Sequence, residues 1–583
     1  MKRQPSVFWR GLRVIGTYIA AHPLPFTVAV TGAAVYAAMT VASTIVLGRI
    51  TDRVLVPAFG PGVSLGPVLW GAVAIMAVAI IRAGGIVTRR YFAGMTGSRM
   101  MATLRTRVMD RYQELPLAYH RSRPTGELMA HAEADVMAAT EVIHPLPYTT
   151  AVVLLIIFAV VALVLTDPFL ALIGCSILPA LTILNRYYGR KVEAPARRAQ
   201  ERIGDVSSVA HESIDGALVV KTLGRERAEV ERLAQKAEAL RDERVRFGQI
   251  RAAFEPAFEV LPNVGIVVLI GIGSWRVSTD AISIGTLVQF VSLFQLLAFP
   301  MRLIGFVLSD IPRAVAGHDR ILEVLSEPVS LRPAAEALEL PPGPLSLSVR
   351  DVRFSYAAAP VVDGVSFEVA PAQSVALVGP TGSGKSTLTQ LLVRLADPDA
   401  GSIRVGGVDL RSVSAERLRA ATAMVFQESF LFATSVRDNI TLGRTVSDEE
   451  VHRAARLAQA HGFITALPGG YDTVLGERGV TLSGGQRQRV AIARGLVGRP
   501  RLLILDDATS SVDPTVEAAI LDGLRRGLDT TLIVVAYRVS TIALADRVFF
   551  LDDGHIVASG THDELLSHAD YEAMVRAYER GAA

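Results

Sequence analysis

The chain runs to 583 residues, half of them hydrophobic, with a mean hydropathy of +0.38 and a net charge of +3. That length exceeds one hydrophobic core, the composition excludes a disordered chain, and the single cysteine, Cys175, excludes a disulfide scaffold. The near-neutral balance gives no broad basic field, so no nucleic-acid partner is expected.

Residues 1–20, with Lys2, Arg3, Trp9, Arg10 and Arg13, have the basic and aromatic character of an amphipathic helix lying at a membrane surface. They lack the small-residue cleavage site of a signal peptide. Six apolar runs follow, at Leu24–Leu47, Gly66–Val87, Leu146–Leu165, Pro168–Asn185, Phe258–Trp275 and Ile284–Leu308. A helix of about 20 apolar residues crosses the ~30 Å hydrocarbon layer, so each run is a candidate span. Arg and Lys crowd the stretches before the first run, between the second and third, and between the fourth and fifth, for example Arg99, Arg105 and Arg111, then Arg197, Arg198, Arg241 and Arg244. The links Thr166–Pro168 and Arg276–Ile282 carry almost no Arg or Lys. The positive-inside rule then predicts a multi-pass protein of the cell membrane, with both termini and the two long basic stretches in the cytoplasm.

Both basic stretches are rich in Ala, Leu, Glu and Arg, so they read as cytoplasmic extensions of the membrane helices. Each contains a break. One is Leu117–Glu127, preceded by Pro116 and holding Pro124 and Gly126; the other is Ser213–Gly224, with Gly216 and Gly224. Both breaks lie far from the membrane, where another domain would dock; plain charged spacers are the alternative. Glu255 and Glu259 are four apart and share a helix face. They suit a cationic substrate, or an ion pair with Arg302 or with an arginine of a partner chain. Pro256, Pro262 and Pro300 are candidate kinks.

Pro328–Pro344 reads as a linker, and the texture then turns α/β. Ser374–Val378, Leu502–Leu505 and Thr531–Val535 are short apolar runs of the kind that form buried parallel strands. The first leads into Gly379, Pro380, Thr381, Gly382, Ser383, Gly384, Lys385, Ser386 and Thr387, which match the phosphate-loop pattern G-x-x-x-x-G-K-[ST]. Glycines there let backbone N–H groups curl round phosphate oxygens, and the helix that follows aims its dipole at the same charge. Lys385 is expected to reach the β- and γ-phosphates and Ser386 to ligate Mg²⁺. The second run ends in Asp506 and Asp507. Asp506 is placed to hold Mg²⁺, directly or through water, and Asp507 to orient the attacking water. An acidic pair capping the next helix is the alternative for one of the two. The expected division is an interfacial helix (1–20), a transmembrane domain (21–327), a linker (328–345) and a nucleotide-binding domain (346–583).

Leu482, Ser483, Gly484, Gly485 and Gln486, followed by Arg487 and Arg489, lie between the phosphate loop and Asp506. With this signature the sequence resembles the ATP-binding cassette transporters, specifically exporter-type half-transporters. The resemblance covers nearly the whole chain. It implies an N-terminal all-α transmembrane domain of six helices with long cytoplasmic extensions, joined to a C-terminal α/β P-loop cassette. It also implies ATP and Mg²⁺ as cofactors and gives residues roles. Tyr356 resembles the aromatic that stacks on adenine, and Gln427 the glutamine that contacts Mg²⁺ and the attacking water. Asp513 lies in the loop that crosses the dimer interface. The two breaks resemble coupling helices. In the family, two cassettes pair head to tail, so the signature completes the site of the partner chain.

Two positions depart from the family pattern. Asp507 stands where glutamate is usual, and Tyr537 where a switch histidine is usual. Aspartate is one methylene shorter, and a retreat of about 1 Å from the water can cost ~100-fold in rate. Tyrosine can donate one hydrogen bond but offers neither the ring-nitrogen geometry nor the cationic form of histidine. The expectation is a site that binds ATP-Mg but hydrolyses it weakly, in one half of a heterodimeric exporter of amphipathic small molecules or lipids. Three alternatives stay open: a slow homodimeric exporter, an importer half of the siderophore type, and an ATP-gated regulatory subunit.

Overall fold

The computed structural model describes residues 7–60, 62–298, 301–329, 331, 337–356 and 359–582, without the side chains of 7–8, 175, 177–178, 297–298, 301–309, 478 and 578–582. The chain forms two compact units. One comprises residues 1–112 and 126–326, the other residues 113–125 and 327–583.

The first unit is helical. Among the described residues, five helical stretches are long and apolar enough to cross a membrane: Pro23–Ala58, Leu65–Glu114, Thr125–Thr166, Pro168–Asp215 and Glu226–Ser278. The sixth expected span, Ile284–Leu308, is met as a shorter apolar helix, Ile284–Ala298, and a second, Met301–Ser326. Pro300 between them lies outside the described residues. Glu226–Ser278 has 53 residues, which at 1.5 Å per residue is about 80 Å, far more than a bilayer core needs. It runs on through Pro256 and Pro262. A dry cluster of Val41, Leu155, Leu163, Leu170, Leu269, Phe290 and Phe294 joins five of the helices. Asp167 caps the helix Pro168–Cys175 by accepting from the N–H of Leu170, and it pairs with Arg276 at 2.9 Å.

Glu255 has an ion pair within its own helix. Its carboxylate meets Arg251 one helical turn away at 3.0 Å, because i,i+4 neighbours on a helix need no tertiary approach. The side chain of Arg302 is outside the described set.

Both breaks are turns with local causes. Arg123 is extended (φ −126°, ψ 139°), as the residue before Pro124 must be, and this ends the helix Leu117–Ser122. Gly216 closes the helix Ile177–Asp215, and Gly224 (φ +63°) follows the short helix Ala217–Thr222. Leu117–Ser122 belongs to the second unit, with the cassette. Leu218 and Leu223 of the other short helix are exposed.

The second unit carries two sheets. The strands are β1 (Leu347–Ser355), β2 (Pro360–Val369), β3 (Ser374–Val378), β4 (Ala400–Val405), β5 (Val408–Asp409), β6 (Thr422–Val425), β7 (Leu502–Asp506), β8 (Thr531–Val535), β9 (Arg547–Asp552) and β10 (His555–Gly560). A four-stranded antiparallel sheet has the order β2-β1-β4-β5, and a six-stranded sheet the order β10-β9-β3-β8-β7-β6. In the larger sheet β9, β3, β8, β7 and β6 pair in parallel. Every residue of β3, β7 and β8 is buried, because parallel strands are covered on both faces. Their carboxyl ends lie side by side, the place where such sheets bind ligands.

Ile533 of β8 is fully buried in the core between the sheets. Ile533→Ala should cost about 2–5 kcal/mol, since the void cannot collapse between paired strands. Urea titration of the full chain in detergent, read by ATP-Mg binding, should show a lower midpoint; an unchanged one would mean the strand tolerates the void.

Candidate functional site

The phosphate loop leaves β3 and turns into the helix Lys385–Leu392. Gly384 makes the turn at φ +97°, and a Cβ there would lie 2.5 Å from the carbonyl of Val361, so only glycine fits. Lys385 folds back under the loop and is 3% exposed. Its Nζ donates to the carbonyls of Gly379 and Pro380, both at 2.7 Å, and to Ser383 Oγ at 3.2 Å. Burial outweighs the attraction of Asp506 and Asp507 and brings its pKa down to about 8.

Asp506 ends β7 beside this loop. Its carboxylate accepts from Ser386 Oγ at 3.1 Å and Thr389 Oγ1 at 3.5 Å, and burial raises its pKa. Asp507 sits in the left-handed region (φ +50°), which aspartate tolerates better than most residues. Its Oδ2 accepts from Gln427 Nε2 at 2.8 Å. Burial first, then the charge of Asp506, pushes the Asp507 carboxyl up to about 6. Tyr537 follows β8, and its ring centre lies 5.0 Å from Lys385 Nζ. Burial and the two aspartates hold its phenol above the usual range. The structure thus brings Lys385, Ser386, Gln427, Asp506, Asp507 and Tyr537 together. Tyr356 stands at the rim, half exposed, with its ring edge-on to Phe354 and its hydroxyl 3.3 Å from Thr387 Oγ1. Pro116, Leu117 and Arg121 line the same hollow as Tyr356, and Arg121 donates to Gln390 Oε1 at 3.1 Å.

The signature lies elsewhere. Ser483 caps the helix Gly484–Leu496 in a reciprocal capping box with Gln486, following the buried Leu482. A hollow of about 400 Å³ lies over this helix start, lined by Ser483, Gly484, Gly485, Gln486, Ser511 and Asp513 among others. No residue from Gly379 to Thr387 lines it. A Cβ on Gly485 would approach the Ser511 carbonyl to 2.7 Å, so glycine lets the 510–513 loop close on the helix. Asp513 itself caps the next helix, accepting from the N–H of Thr515 at 2.8 Å.

Three residues that hold this loop escape sequence reasoning. Gln488 joins helix to loop, donating to Ser510 Oγ and accepting from the N–H of Ser511, both at 2.8 Å. Arg538 donates to the carbonyls of Val512 (2.8 Å) and Ser510 (3.0 Å). Buried Glu517 anchors Arg538 at 2.5 Å and accepts from the hydroxyls of Thr509 and Thr541. The available signals were adjacency alone: Gln488 sits inside the signature run and Arg538 follows Tyr537.

The family profile described as the ABC transporter transmembrane region matches residues 26–301, and the profile described as ABC transporter matches residues 362–510. The chain is 32% identical over 504 residues to an ATP-dependent lipid A-core flippase of Syntrophus aciditrophicus, covering 85% of this chain and 83% of that one. The chain belongs to the ABC transporters. A multidrug efflux ATP-binding/permease protein of Mycobacterium tuberculosis is 34% identical over 500 residues, 84% of this chain and 42% of that protein. A solved bacterial Atm1-family ABC exporter with ATP bound superposes with a TM-score of 0.75 at 30% identity, covering 95% of this chain and 98% of that one.

This ABC transporter is an exporter in which an N-terminal transmembrane domain is fused to an ATP-binding cassette, and it is an ATPase coupled to transport. Its cassette binds ATP with Mg²⁺. The residues present fit both. The buried ammonium has only neutral partners to give up, and the Ser386 hydroxyl and Asp506 carboxylate form an oxygen pair suited to a hard cation. Lys385→Ala should abolish binding of a fluorescent ATP analogue. Lys385→Arg should not restore it, since the site converges on one compact charge. Binding by Lys385→Arg within threefold of the parent would refute that geometry. Glu517→Gln should lower the thermal midpoint of the full chain, because a charged bond worth about 1.5–3 kcal/mol is lost from a buried network.

Proposed function

We propose that the chain is one half of a dimeric exporter whose own phosphate-loop site is degenerate and whose signature completes the site of a catalytically competent partner. The observation that carries this reading is the position of Asp507 and Tyr537, both beside Lys385 and Asp506 in an otherwise complete ATP site. In this reading Lys385 and the loop from Gly379 to Thr387 hold the phosphates, Tyr356 packs against the adenine, and Ser386, Asp506 and Gln427 provide the metal's oxygen ligands. When bound there, Mg²⁺ would supply neutralisation of the phosphate charge. Asp507 orients the attacking water from a carboxylate set back by about one methylene, and Tyr537 offers a phenol where the family has an imidazole.

The hollow at the signature helix supports such a partner. The hollow at Ser483, Gly484 and Gly485 receives nothing from the chain's own phosphate loop, so its helix start is free for a γ-phosphate held by another cassette. The exposed Leu218 and Leu223 of the second coupling helix give a docking surface for that cassette. The membrane domain is assigned six spans within residues 21–327, entered from an interfacial helix at 1–20. Both termini and the cassette (346–583), reached through a linker (328–345), are cytoplasmic. The flippase and multidrug relatives support lipids or amphipathic small molecules as substrates. One observation favours a slow homodimer as the second reading: Gln427 and Asp507 are already in contact at 2.8 Å, so a water-orienting pair exists despite the shorter acid.

Steady-state ATPase of the chain alone in lipid nanodiscs separates the two. The wild type should turn over at least tenfold more slowly than Asp507→Glu/Tyr537→His, while both bind ATP-Mg equally. Equal turnover of wild type and double variant would sink the degenerate-site reading and leave the homodimer.

A further inference from the structure

Arg89 stands apart from every group the cassette uses. It lies on the helix Leu65–Glu114, just past the apolar run that ends at Val87, and is 8% exposed. Its guanidinium carbon is 4.5 Å from the ring centre of Tyr148 and 5.6 Å from that of Tyr36. Nε is enclosed and has no hydrogen-bond partner among the described residues. Among the described residues no hydrogen bond or ion pair joins it to a carboxylate, and the titratable groups that act on it are Tyr148, Tyr36 and Arg90. The three side chains come from three different membrane helices. Two of those helices touch backbone to backbone at this level. A Cβ on Gly32 would lie 2.8 Å from the amide nitrogen of Arg89, and one on Gly85 2.9 Å from that of Tyr36.

A buried cation without a counter-charge is costly, and ionisable groups in membrane segments mark functional positions. The two ring faces offset part of that cost. What they leave is a guanidinium, which only donates, and two phenols, which can donate. A cluster rich in donors and free of carboxylate is matched to an anion, and the planar fork of arginine to a phosphate. The chain is a multi-pass membrane transporter, so a phosphate at the end of an apolar span arrives on a lipid. We propose that Arg89, Tyr36 and Tyr148 form a binding site for the phosphate headgroup of an anionic lipid, held between three membrane helices. A lipid there ties the three helices together and biases their packing.

The test titrates dioctanoyl phosphatidic acid into the full chain in detergent, beside dioctanoyl phosphatidylcholine and inorganic phosphate. Phosphatidic acid should bind Arg89→Gln at least tenfold more weakly than wild type, with Arg89→Lys between them. Phosphatidylcholine should not distinguish the three, and millimolar inorganic phosphate should not displace the acidic lipid. Binding of phosphatidic acid to Arg89→Gln within twofold of wild type overturns the proposal, as does displacement by inorganic phosphate alone. ATP-Mg is added to each variant in parallel. A rise in thermal midpoint shows that the cassette is folded, and its failure counts against the nucleotide site and not the lipid site. Should Arg89→Gln not fold, Tyr148→Phe decides by the same titration: a threefold weakening supports the site, and none refutes it.

Discussion

Lys385 carries its charge into a place that water cannot follow, and the surrounding cassette is arranged around that charge. An isolated ammonium in a protein interior loses its proton or distorts its surroundings. Here three oxygen acceptors from its own loop compensate it, and two aspartates stand behind them. The loop's shape follows from this: the carbonyls of Gly379 and Pro380 turn inward to the ammonium. The strand order does the rest. With β3 beside β8 and β8 beside β7, the residues after three adjacent strands, Gly379, Ala536 and Asp507, are forced to one end of the sheet.

The same electrostatics make the two departures from the family pattern matter. Asp507 lies in a field already negative from Asp506, and both burial and that field resist its ionisation. A longer acid at this position would project away from Asp506 as well as toward the water. Tyr537 meets Lys385 through its ring face, a contact in which the phenol contributes no charge. An imidazole in its place would bring a second basic group close to the ammonium. In the proposed reading, binding and turnover depend on different atoms of one site: Lys385, Ser386 and Asp506 hold the nucleotide, while Asp507 and Tyr537 change the part that acts on water.

How much of this was legible in the sequence depends on how local the cause is. The phosphate loop was legible because its glycines, lysine and serine are constrained by their immediate neighbours. β3, β7 and β8 were legible because burial on both faces leaves a continuous apolar run. The strands of the antiparallel sheet were not read. Their residues are only half buried, as in β1, and the alternation is broken by bulges. Gln488, Glu517 and Arg538 were missed for a deeper reason: Arg538 and Glu517 are 21 residues apart, and no periodicity links a guanidinium to a carboxylate it meets only after folding. Glu255 shows the opposite case: an adjacent helical turn supplies a partner, Arg251, that a search for tertiary contacts passes over.

The signature helix and the phosphate loop are coupled through that unread network. Gln488 fastens the 510–513 loop to the helix that Ser483 begins, and Arg538 fastens the same loop to the segment that carries Tyr537. A displacement of Tyr537 therefore pulls on carbonyls of the loop whose end, Asp513, borders the signature hollow. Because Glu517 is buried and bound to three partners, this linkage is stiff, and a stiff linkage transmits movement with little absorbed locally. Leu117 and Arg121 share a hollow with Tyr356, so in the proposed reading a ring stacked on Tyr356 alters the surroundings of the helix Leu117–Ser122 directly. In the proposed reading the cassette therefore has two outlets for the occupancy of one nucleotide site: through Arg538 to the hollow at the signature helix, and through Tyr356 to the helix Leu117–Ser122.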